Sequence, residues 1–203
     1  MEKTLIIVLV SVLIIGGIGV GIYLIKVDKM SGPRTEQGGP SASGPQAPQG
    51  EENLAKEDFS VYIPEGWRKT APPQGVSAMV INADEEITDP AAKKINFRTY
   101  FAVSYDSLQG KSMEEYIQIL KNNLAQTVGN IDFGGENAIT VNGREARAID
   151  AGISQQGAEF KVLIVAIRGG GEDIWLLSFN TVKSSWDKYR DLFAEITNSF
   201  QVK

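Results

Sequence analysis

The longest apolar run of the chain lies near its start. Thr4 to Ile25 is a run of 22 residues without a charge, and Lys3 and Lys26 flank it. At about 1.5 Å per residue, a helix over this run is roughly 33 Å long, which is enough to cross the apolar core of a bilayer. A cleaved signal peptide has a shorter apolar run of about 7–15 residues, followed at once by a cleavage site of small residues. Residues 26–30 offer no such site, so the pattern predicts a retained transmembrane helix at residues 4–25.

Two features concern the packing of this helix and its orientation in the membrane. Gly17 and Gly21 have the spacing that lets two membrane helices approach closely, although glycine is common in membrane helices and that simpler explanation is favoured. Lys26, Lys29 and Arg34 follow the helix, and the positive-inside rule then favours a cytoplasmic C-terminal part. Long domains translocate with little regard to charge, so the charges alone leave the orientation open.

Residues 27–56 differ in composition from everything around them. Between Ser31 and Gly50 there are five Gly, four Pro, three Ser and three Gln, with no aromatic or branched aliphatic residue. Such a segment buries too little apolar surface to offset the entropy of ordering it. We therefore expect a disordered linker with an end-to-end distance of about 30 Å. It holds the following domain near the membrane without fixing its angle.

Residues 57–203 alternate between apolar and polar positions in several short segments, which is the pattern of half-buried strands. Asn142-Gly143 lies between two such segments and is the strongest hairpin signal in the chain. A further segment is almost wholly apolar and predicts a central strand that is covered on both faces. The predicted strands are Phe59–Ile63, Val76–Ile81, Ile95–Tyr105, Ala138–Val141, Arg144–Ile153, Phe160–Ile167 and Ile174–Phe179.

Two segments have the period of amphipathic helices. Ser112 and Glu115 fit a capping box, in which each side chain satisfies a free backbone N–H at the start of a helix, and the pattern then continues to Val128. A final helix begins after Ser184 or Ser185, one of which is expected to cap it. Its apolar side carries Trp186, Tyr189, Leu192, Phe193, Ile196 and Phe200. Strands separated in this way by helices predict an α+β domain, an antiparallel β-sheet sandwiched by helices in α/β/α layers.

The composition excludes several kinds of chemistry. The chain has no Cys and no His, so it cannot form a disulfide, a thiolate nucleophile or a Ser-His-Asp triad. Its net charge of −5 argues against binding to nucleic acid, which needs a basic surface. The sequence contains no recognisable set of nucleophile, base and orienting group. We therefore predict that the chain is not an enzyme and has no catalytic, cofactor-binding or metal-binding residues.

Four acidic residues between two predicted strands are candidate ligands of a cation. Asp84, Glu85, Glu86 and Asp89 supply the oxygen ligands that calcium and magnesium prefer. Their spacing is not that of an EF-hand loop, which needs ligands at alternating positions and a central Gly. A charge run usually stays in water, so a solvated acidic loop is the favoured interpretation.

A second candidate is the glycine-rich segment Gly169–Gly171, which is followed by Glu172 and Asp173. These residues suit either a loop that binds an ion or a partner, or a hairpin turn. Turn chemistry favours the flexible hairpin turn.

The remaining candidates are aromatic or paired residues with a structural explanation. Trp67 could line a groove, but a Trp after a strand-ending turn more often closes the rim of the core. Trp175 and Trp186 lie on apolar faces and are expected in the core. Glu114 and Glu115 are neighbours on a helix and point about 100° apart, and Glu115 already has a capping role.

Three motifs together resemble PsbP-like domains over about residues 57–203. They are Phe59-Ser-Val-Tyr-Ile-Pro64 followed by Trp67, the hairpin Val141-Asn-Gly-Arg144, and the ending Trp186, Phe193 and Thr197-Asn-Ser-Phe200. The resemblance implies the Mog1/PsbP-like fold, which agrees with the layers predicted from the pattern.

The resemblance also implies a kind of function. PsbP is an extrinsic, lumenal subunit of photosystem II that helps to retain calcium and chloride, and the related Mog1 proteins bind a small GTPase. This chain differs in having its own predicted membrane helix and no His, so His-mediated metal contacts cannot be carried over and a photosynthetic role is doubtful.

We therefore hypothesise that the chain is a single-pass protein of the cell membrane. It contacts the lipid bilayer through residues 4–25 and displays a non-enzymatic PsbP-like binding or assembly-support domain. The usual placement of the family favours a position outside the cytoplasm, with a protein partner in a membrane complex. The alternative is a sensor of a small ligand or a divalent cation such as calcium on the same fold.

Overall fold

The computed structural model describes residues 52–203, so the predicted span 4–25 and most of the predicted linker lie outside the described residues. Ten strands and three helices follow one another in this part of the chain. The strands are β1 Glu52–Ala55, β2 Phe59–Ile63, β3 Trp67–Thr70, β4 Val76–Asn82, β5 Tyr100–Ser107, β6 Ile131–Val141, β7 Arg144–Gln155, β8 Ala158–Arg168, β9 Asp173–Val182 and β10 Gln201–Val202. The helices are α1 Pro90–Lys94, α2 Met113–Val128 and α3 Trp186–Ser199. None of these three helices has the length and apolar character needed to cross a bilayer.

Seven of the strands form one antiparallel sheet in the order β3-β4-β5-β9-β8-β7-β6. Successive residues of a strand point to opposite faces, and in β5 Tyr100 and Ala102 join the core under α2, whereas Phe101 and Val103 join the core under α3. Both faces are thus apolar in the middle of the sheet, and helices cover both. The α+β architecture with an antiparallel sheet between helices is confirmed.

A second, three-stranded sheet packs beside α3. Its central strand is β2, which pairs with β1 on one side and with β10 on the other. Residues 52–55 were assigned to the linker, but they form β1, because Leu54 is only 4 % exposed and packs in the core under α3. The folded domain therefore includes residues before the predicted boundary at 57.

The strand predicted from Ile95 begins five residues later, at Tyr100. The residues before Ile95 form α1. The Asp89 side chain accepts hydrogen bonds from the backbone N–H groups that follow it, and Pro90 occupies the first turn. Asn96, with φ of 53°, then turns the chain away from the helix. The first five residues of the predicted strand therefore form the end of α1, with Ile95 as its C-cap, and the connection to β5.

Other local predictions are confirmed. Ser112 and Glu115 form the capping box at the start of α2, and Asn142 and Gly143 have φ of 48° and 78° in the tight turn between β6 and β7. The predicted cap of the last helix is wrong, since Ser185 makes no side-chain cap and a short 3-10 turn precedes α3 instead.

The strand that was predicted to be fully covered is β8. It has a strand on each side, but its residues Lys161 and Leu163 are only half-buried. The expectation of complete cover is wrong at these two positions.

We expect Glu115→Gln to lower the melting temperature at neutral pH. Hydrogen bonds from Ser112 hold the pKa of Glu115 below its ordinary value, so the ionised carboxylate stabilises the folded state above the ordinary pKa of a glutamate. That contribution is lost as the pH falls through the lowered pKa. The melting temperatures of the two proteins should therefore converge in acid, as circular dichroism can measure. A difference that grows in acid would contradict the assigned role.

Candidate functional site

The four acidic residues that follow β4 do not form one site. Asp84 is exposed and lies 3.8 Å from the Arg68 guanidinium, and Glu86 is also exposed. Asp89 caps α1, and Glu85 is buried with 7 % of its surface exposed. The expectation of a solvated loop therefore holds for the exposed pair and is wrong for Glu85. Within residues 52–203, no group of three or more acidic side chains is placed to hold a metal ion.

Glu85 is buried because the start of β5 satisfies its carboxylate. The Thr99 backbone N–H donates to Oε2 at 2.6 Å, and the Thr99 hydroxyl donates to Oε1 at 2.8 Å. The Thr99 hydroxyl also lies 2.9 Å from that of Thr181 on β9. A buried carboxylate needs such partners, since an unsatisfied one costs several kcal/mol.

Helix α3 contacts this buried cluster through Tyr189. The Asn82 amide donates to the Tyr189 hydroxyl at 3.0 Å, and the ring packs edge-on against Trp67. Burial and the nearby charge of Glu85 raise the pKa of Tyr189, so this hydroxyl stays protonated. The cluster joins the end of β4, the start of β5, β9 and α3, and it is a structural clamp. Trp67 is buried beside it, as predicted.

The glycine-rich segment forms the predicted turn between β8 and β9. The Gly169 N–H donates to the Asp173 carbonyl at 2.8 Å. The Glu172 carboxylate accepts a hydrogen bond of 2.6 Å from the Gly110 N–H, which ties the turn to the loop after β5. A Cβ on Gly169 would lie 2.7 Å from the Asp173 Cβ, so the close approach of the two strands requires glycine there.

The two neighbouring glutamates of α2 have separate partners. Glu115 forms the capping box, whereas Glu114 forms an ion pair with Arg147 on β7. They do not act as a carboxylate pair.

The two remaining tryptophans differ from each other. Trp175 is 5 % exposed and packs against Phe59 and Phe200 in the core under α3, as predicted. Trp186 is only half-buried, so its assignment to the core is wrong. It is the first residue of α3, at the margin of the covered area.

An exposed aromatic residue at the end of β5 is the feature that the sequence did not single out. Tyr105 is 43 % exposed, its ring lies 5.3 Å from the Trp175 ring, and its hydroxyl donates to the Asp173 carboxylate at 2.6 Å. We call Tyr105, with the neighbouring carboxylates of Asp58 and Asp173, the Tyr105 patch; Asp106 points to the other face of β5, toward Tyr116 on α2. Its only sequence signal is an aromatic residue followed by Asp at the end of an alternating strand.

Carboxylates on both faces of β5 act on the Tyr105 hydroxyl. The hydrogen bond to Asp173 raises the pKa of Tyr105, and burial and the charges of Asp173, Asp106 and Asp58 add to it. Burial raises the pKa of Asp106, although hydrogen bonds from Ser107 and Tyr116 oppose the shift. An aromatic ring held among carboxylates suits a partner that offers an apolar surface beside a basic group.

The position of the patch relative to the linker follows from β2. Glu52, the first described residue, pairs with Ile63 at one end of β2, whereas Phe59 at the other end contacts Trp175 under the patch. The five residues of β2 span about 16 Å. The Tyr105 patch therefore lies at the end of the small sheet away from the point where the linker joins.

No protein-family model matches the sequence. No curated protein sequence matches it either.

The fold has relatives among solved structures. Cyanobacterial PsbP from Synechocystis sp. PCC 6803 is 13 % identical with a TM-score of 0.54, over 80 % of this chain and 98 % of that one. LpqN of Mycobacterium tuberculosis is 13 % identical with a TM-score of 0.53, over 75 % of this chain and 90 % of that one. The Ran-binding protein Mog1p of Saccharomyces cerevisiae is 13 % identical with a TM-score of 0.51, over 75 % of this chain and 95 % of that one. These likenesses confirm the Mog1/PsbP-like fold that the motifs implied, and at this identity they concern the fold alone.

We expect Glu85→Gln to destabilise the domain by about 1–3 kcal/mol, because an amide nitrogen would then face donors that the carboxylate now satisfies. Glu86→Gln is the matched control, since the neighbouring side chain is exposed and its change should stay within about 0.5 kcal/mol. Urea denaturation followed by tryptophan fluorescence measures both. Equal effects of the two substitutions would show that the clamp around Glu85 does not stabilise the fold.

Proposed function

We propose that this chain is a single-pass membrane protein whose Mog1/PsbP-like domain binds a protein partner outside the cytoplasm through the Tyr105 patch. The domain supports the assembly or stability of that partner and carries out no chemistry of its own. Residues 4–25 anchor the chain in the cell membrane, and the linker that follows keeps the domain close to the membrane surface.

The observation that carries the proposal is the state of Tyr105. Its ring is partly exposed, yet the ring packs against Trp175 and its hydroxyl donates a hydrogen bond to Asp173. Exposed aromatic rings that are already held in place are the residues that anchor protein interfaces, since little side-chain entropy is lost on binding. The surrounding carboxylates favour a partner surface with basic groups and speed its association.

The roles of the polar side chains favour binding over catalysis. Glu85, Asp89, Glu115 and Glu172 each accept hydrogen bonds that build the fold. A catalytic site would need a nucleophile within reach of a base and of an orienting group. A carboxylate that holds a cap or a turn is not free for that work.

Two structural relatives are consistent with this type of role. Mog1p is a Ran-binding protein, and LpqN is involved in cell envelope biogenesis. The identity of 13 % transfers neither partner nor pathway to this chain. What it supports is that the same fold serves in a binding protein and in a protein involved in cell envelope biogenesis.

The anchor and the patch are compatible in their geometry. The composition of the predicted linker, residues 27–56, is that of a flexible tether, and the part before β1 would have an end-to-end distance of about 25–30 Å. Because the Tyr105 patch lies away from the point where the tether joins, the anchored domain can present it to a neighbouring membrane complex. The tether length then limits the partner to the region near the membrane surface.

We expect the full chain to stay in the membrane pellet after extraction with alkaline carbonate, because a spanning helix is not released by charge screening. Deletion of residues 4–25 should move the protein to the soluble fraction. Protease added to spheroplasts should digest the domain while the cytoplasmic membrane is sealed. Release of the full chain by carbonate would refute the anchor, and protection from protease would place the domain in the cytoplasm.

We expect a photo-reactive residue at position 105 to cross-link to a discrete partner in intact membranes. Position 119 is the matched control, since Ile119 is a large apolar residue of similar exposure, at 39 %, on helix α2. Asp173→Asn should lower the yield at position 105 by removing a charge and the support of the ring. A yield at position 119 equal to that at position 105 would rule out the Tyr105 patch as the binding surface.

A further inference from the structure

The face of the large sheet that packs against α3 is only partly covered in one region. Asp150 on β7 lies opposite Leu163 on β8, and Lys161 is two residues from Leu163 on the same strand. Leu163 packs against the core under α3, so the Asp150 and Lys161 side chains point to that same face. Both residues are only half-buried. Two opposite charges thus share a partly covered surface.

A glycine pair keeps the space beside these charges open. Gly134 and Gly135 form the irregularity of β6 opposite Asp150. A Cβ on Gly134 would lie 3.5 Å from the Asp150 Cβ and 3.9 Å from the Lys161 Nζ, and one on Gly135 would lie 3.9 Å from an Asp150 carboxylate oxygen. Neither glycine has a positive φ, so the backbone does not require glycine at either position. Their absent side chains leave a recess next to both charged groups.

Asp150 and Lys161 are not paired with each other, and the Lys161 ammonium lies over the Trp186 ring. Within residues 52–203, the Asp150 carboxylate accepts no hydrogen bond, and neither Asp150 nor Lys161 forms an ion pair. Glu136 on β6, another half-buried carboxylate of the sheet, does have a partner, since Lys121 on α2 lies 3.3 Å from it. A ligand with an ammonium group can supply the charged hydrogen-bond donor that the Asp150 carboxylate lacks.

Trp186 forms one wall of the recess. Its ring lies 5.5 Å from the Lys161 Nζ, and Phe193 on the next turns of α3 packs against it. Trp186 is only half-buried, which the sequence did not predict, so part of its side chain stays accessible. The recess thus combines an ammonium, a carboxylate and an aromatic surface.

We propose that this recess, which we call the Asp150 notch, binds a small zwitterion that carries an ammonium group and an anionic group close together. The ligand ammonium donates to the Asp150 carboxylate, and Asp132 at the edge of the same face adds to the attraction. The ligand anion accepts from Lys161, and the carbon atoms between them pack against Gly134 and Trp186. Free amino acids and the phosphoethanolamine headgroup of lipids both have this chemistry. The proposal needs neither the membrane anchor nor the Tyr105 patch.

The test is a titration of the full chain, purified in a nonionic detergent, with glycine and with glycerophosphoethanolamine. Ethanolamine and glycerol phosphate are the controls that carry only one of the two charges. Tryptophan fluorescence reports binding, because Trp186 is half-buried at the notch. We expect a saturable change whose midpoint is at least about tenfold lower for one or both zwitterions than for either control. A response to glycine alone identifies a free amino acid as the source, and a response to the headgroup alone identifies a lipid.

Three variants link the signal to the notch. Asp150→Asn and Lys161→Met should each raise the midpoint by about tenfold or more. Gly134→Ala keeps every charge but places a methyl group in the recess at an ordinary contact distance, so it should weaken binding while the melting curve stays that of a folded domain. The matched controls are Lys188→Met, whose ammonium lies over the Tyr189 ring, and Gly170→Ala, whose added Cβ meets nothing within 4 Å. Both should leave the midpoint unchanged.

Three results would overturn the proposal. One is the lack of a saturable response to both zwitterions up to tens of millimolar. Another is an equal response to the singly charged controls. The third is a midpoint that stays the same in folded Gly134→Ala protein.

Discussion

The domain depends on a sheet whose middle strands are apolar on both faces. In β5 and β9 successive side chains enter two different cores. Both faces of these strands are therefore apolar, and another layer must shield each of them from water. Helix α2 covers one face, and α3 with the small sheet covers the other. After α1 and α2 the chain returns to the seven-stranded sheet, whereas after α3 its last strand, β10, pairs with β2 in the small sheet. Removing either cover would expose a continuous apolar surface.

The clamp around Glu85 follows from this arrangement. The connection between β4 and β5 has to cross the end of the sheet beside α3, where backbone and hydroxyl donors would otherwise be buried without partners. Glu85 supplies both acceptors for Thr99, and the Thr99 hydroxyl contacts Thr181 on β9. A residue that looks like part of a solvated acidic run is therefore the polar centre of the fold at that end.

The two surfaces proposed for binding lie where the cover of the sheet ends. Tyr105 is the last aromatic residue of β5, beyond the area that the small sheet encloses, and Trp186 begins α3 beside strands that the helix does not cover. At such margins an aromatic side chain stays attached to the core on one side and exposes its other side. The same margins leave charged groups half-buried, as at Asp173 and Lys161. Function in this fold is therefore expected at the edges of its layers.

The sequence by itself determined the features that depend on neighbouring residues. The capping box at Ser112 and the turn at Asn142-Gly143 are set by contacts within a few residues, and the alternation of Phe59–Ile63 marks a strand directly, so all of these are confirmed. Only the tertiary structure decided that Glu85 is buried, that Tyr105 is exposed and that Trp186 is half-buried. These outcomes depend on which distant strand or helix lies above each side chain, and residue type and spacing do not encode that. The prediction of the layers succeeded because two-faced apolar strands require cover, and the prediction of the sites was incomplete because the limits of that cover arise only when the layers pack.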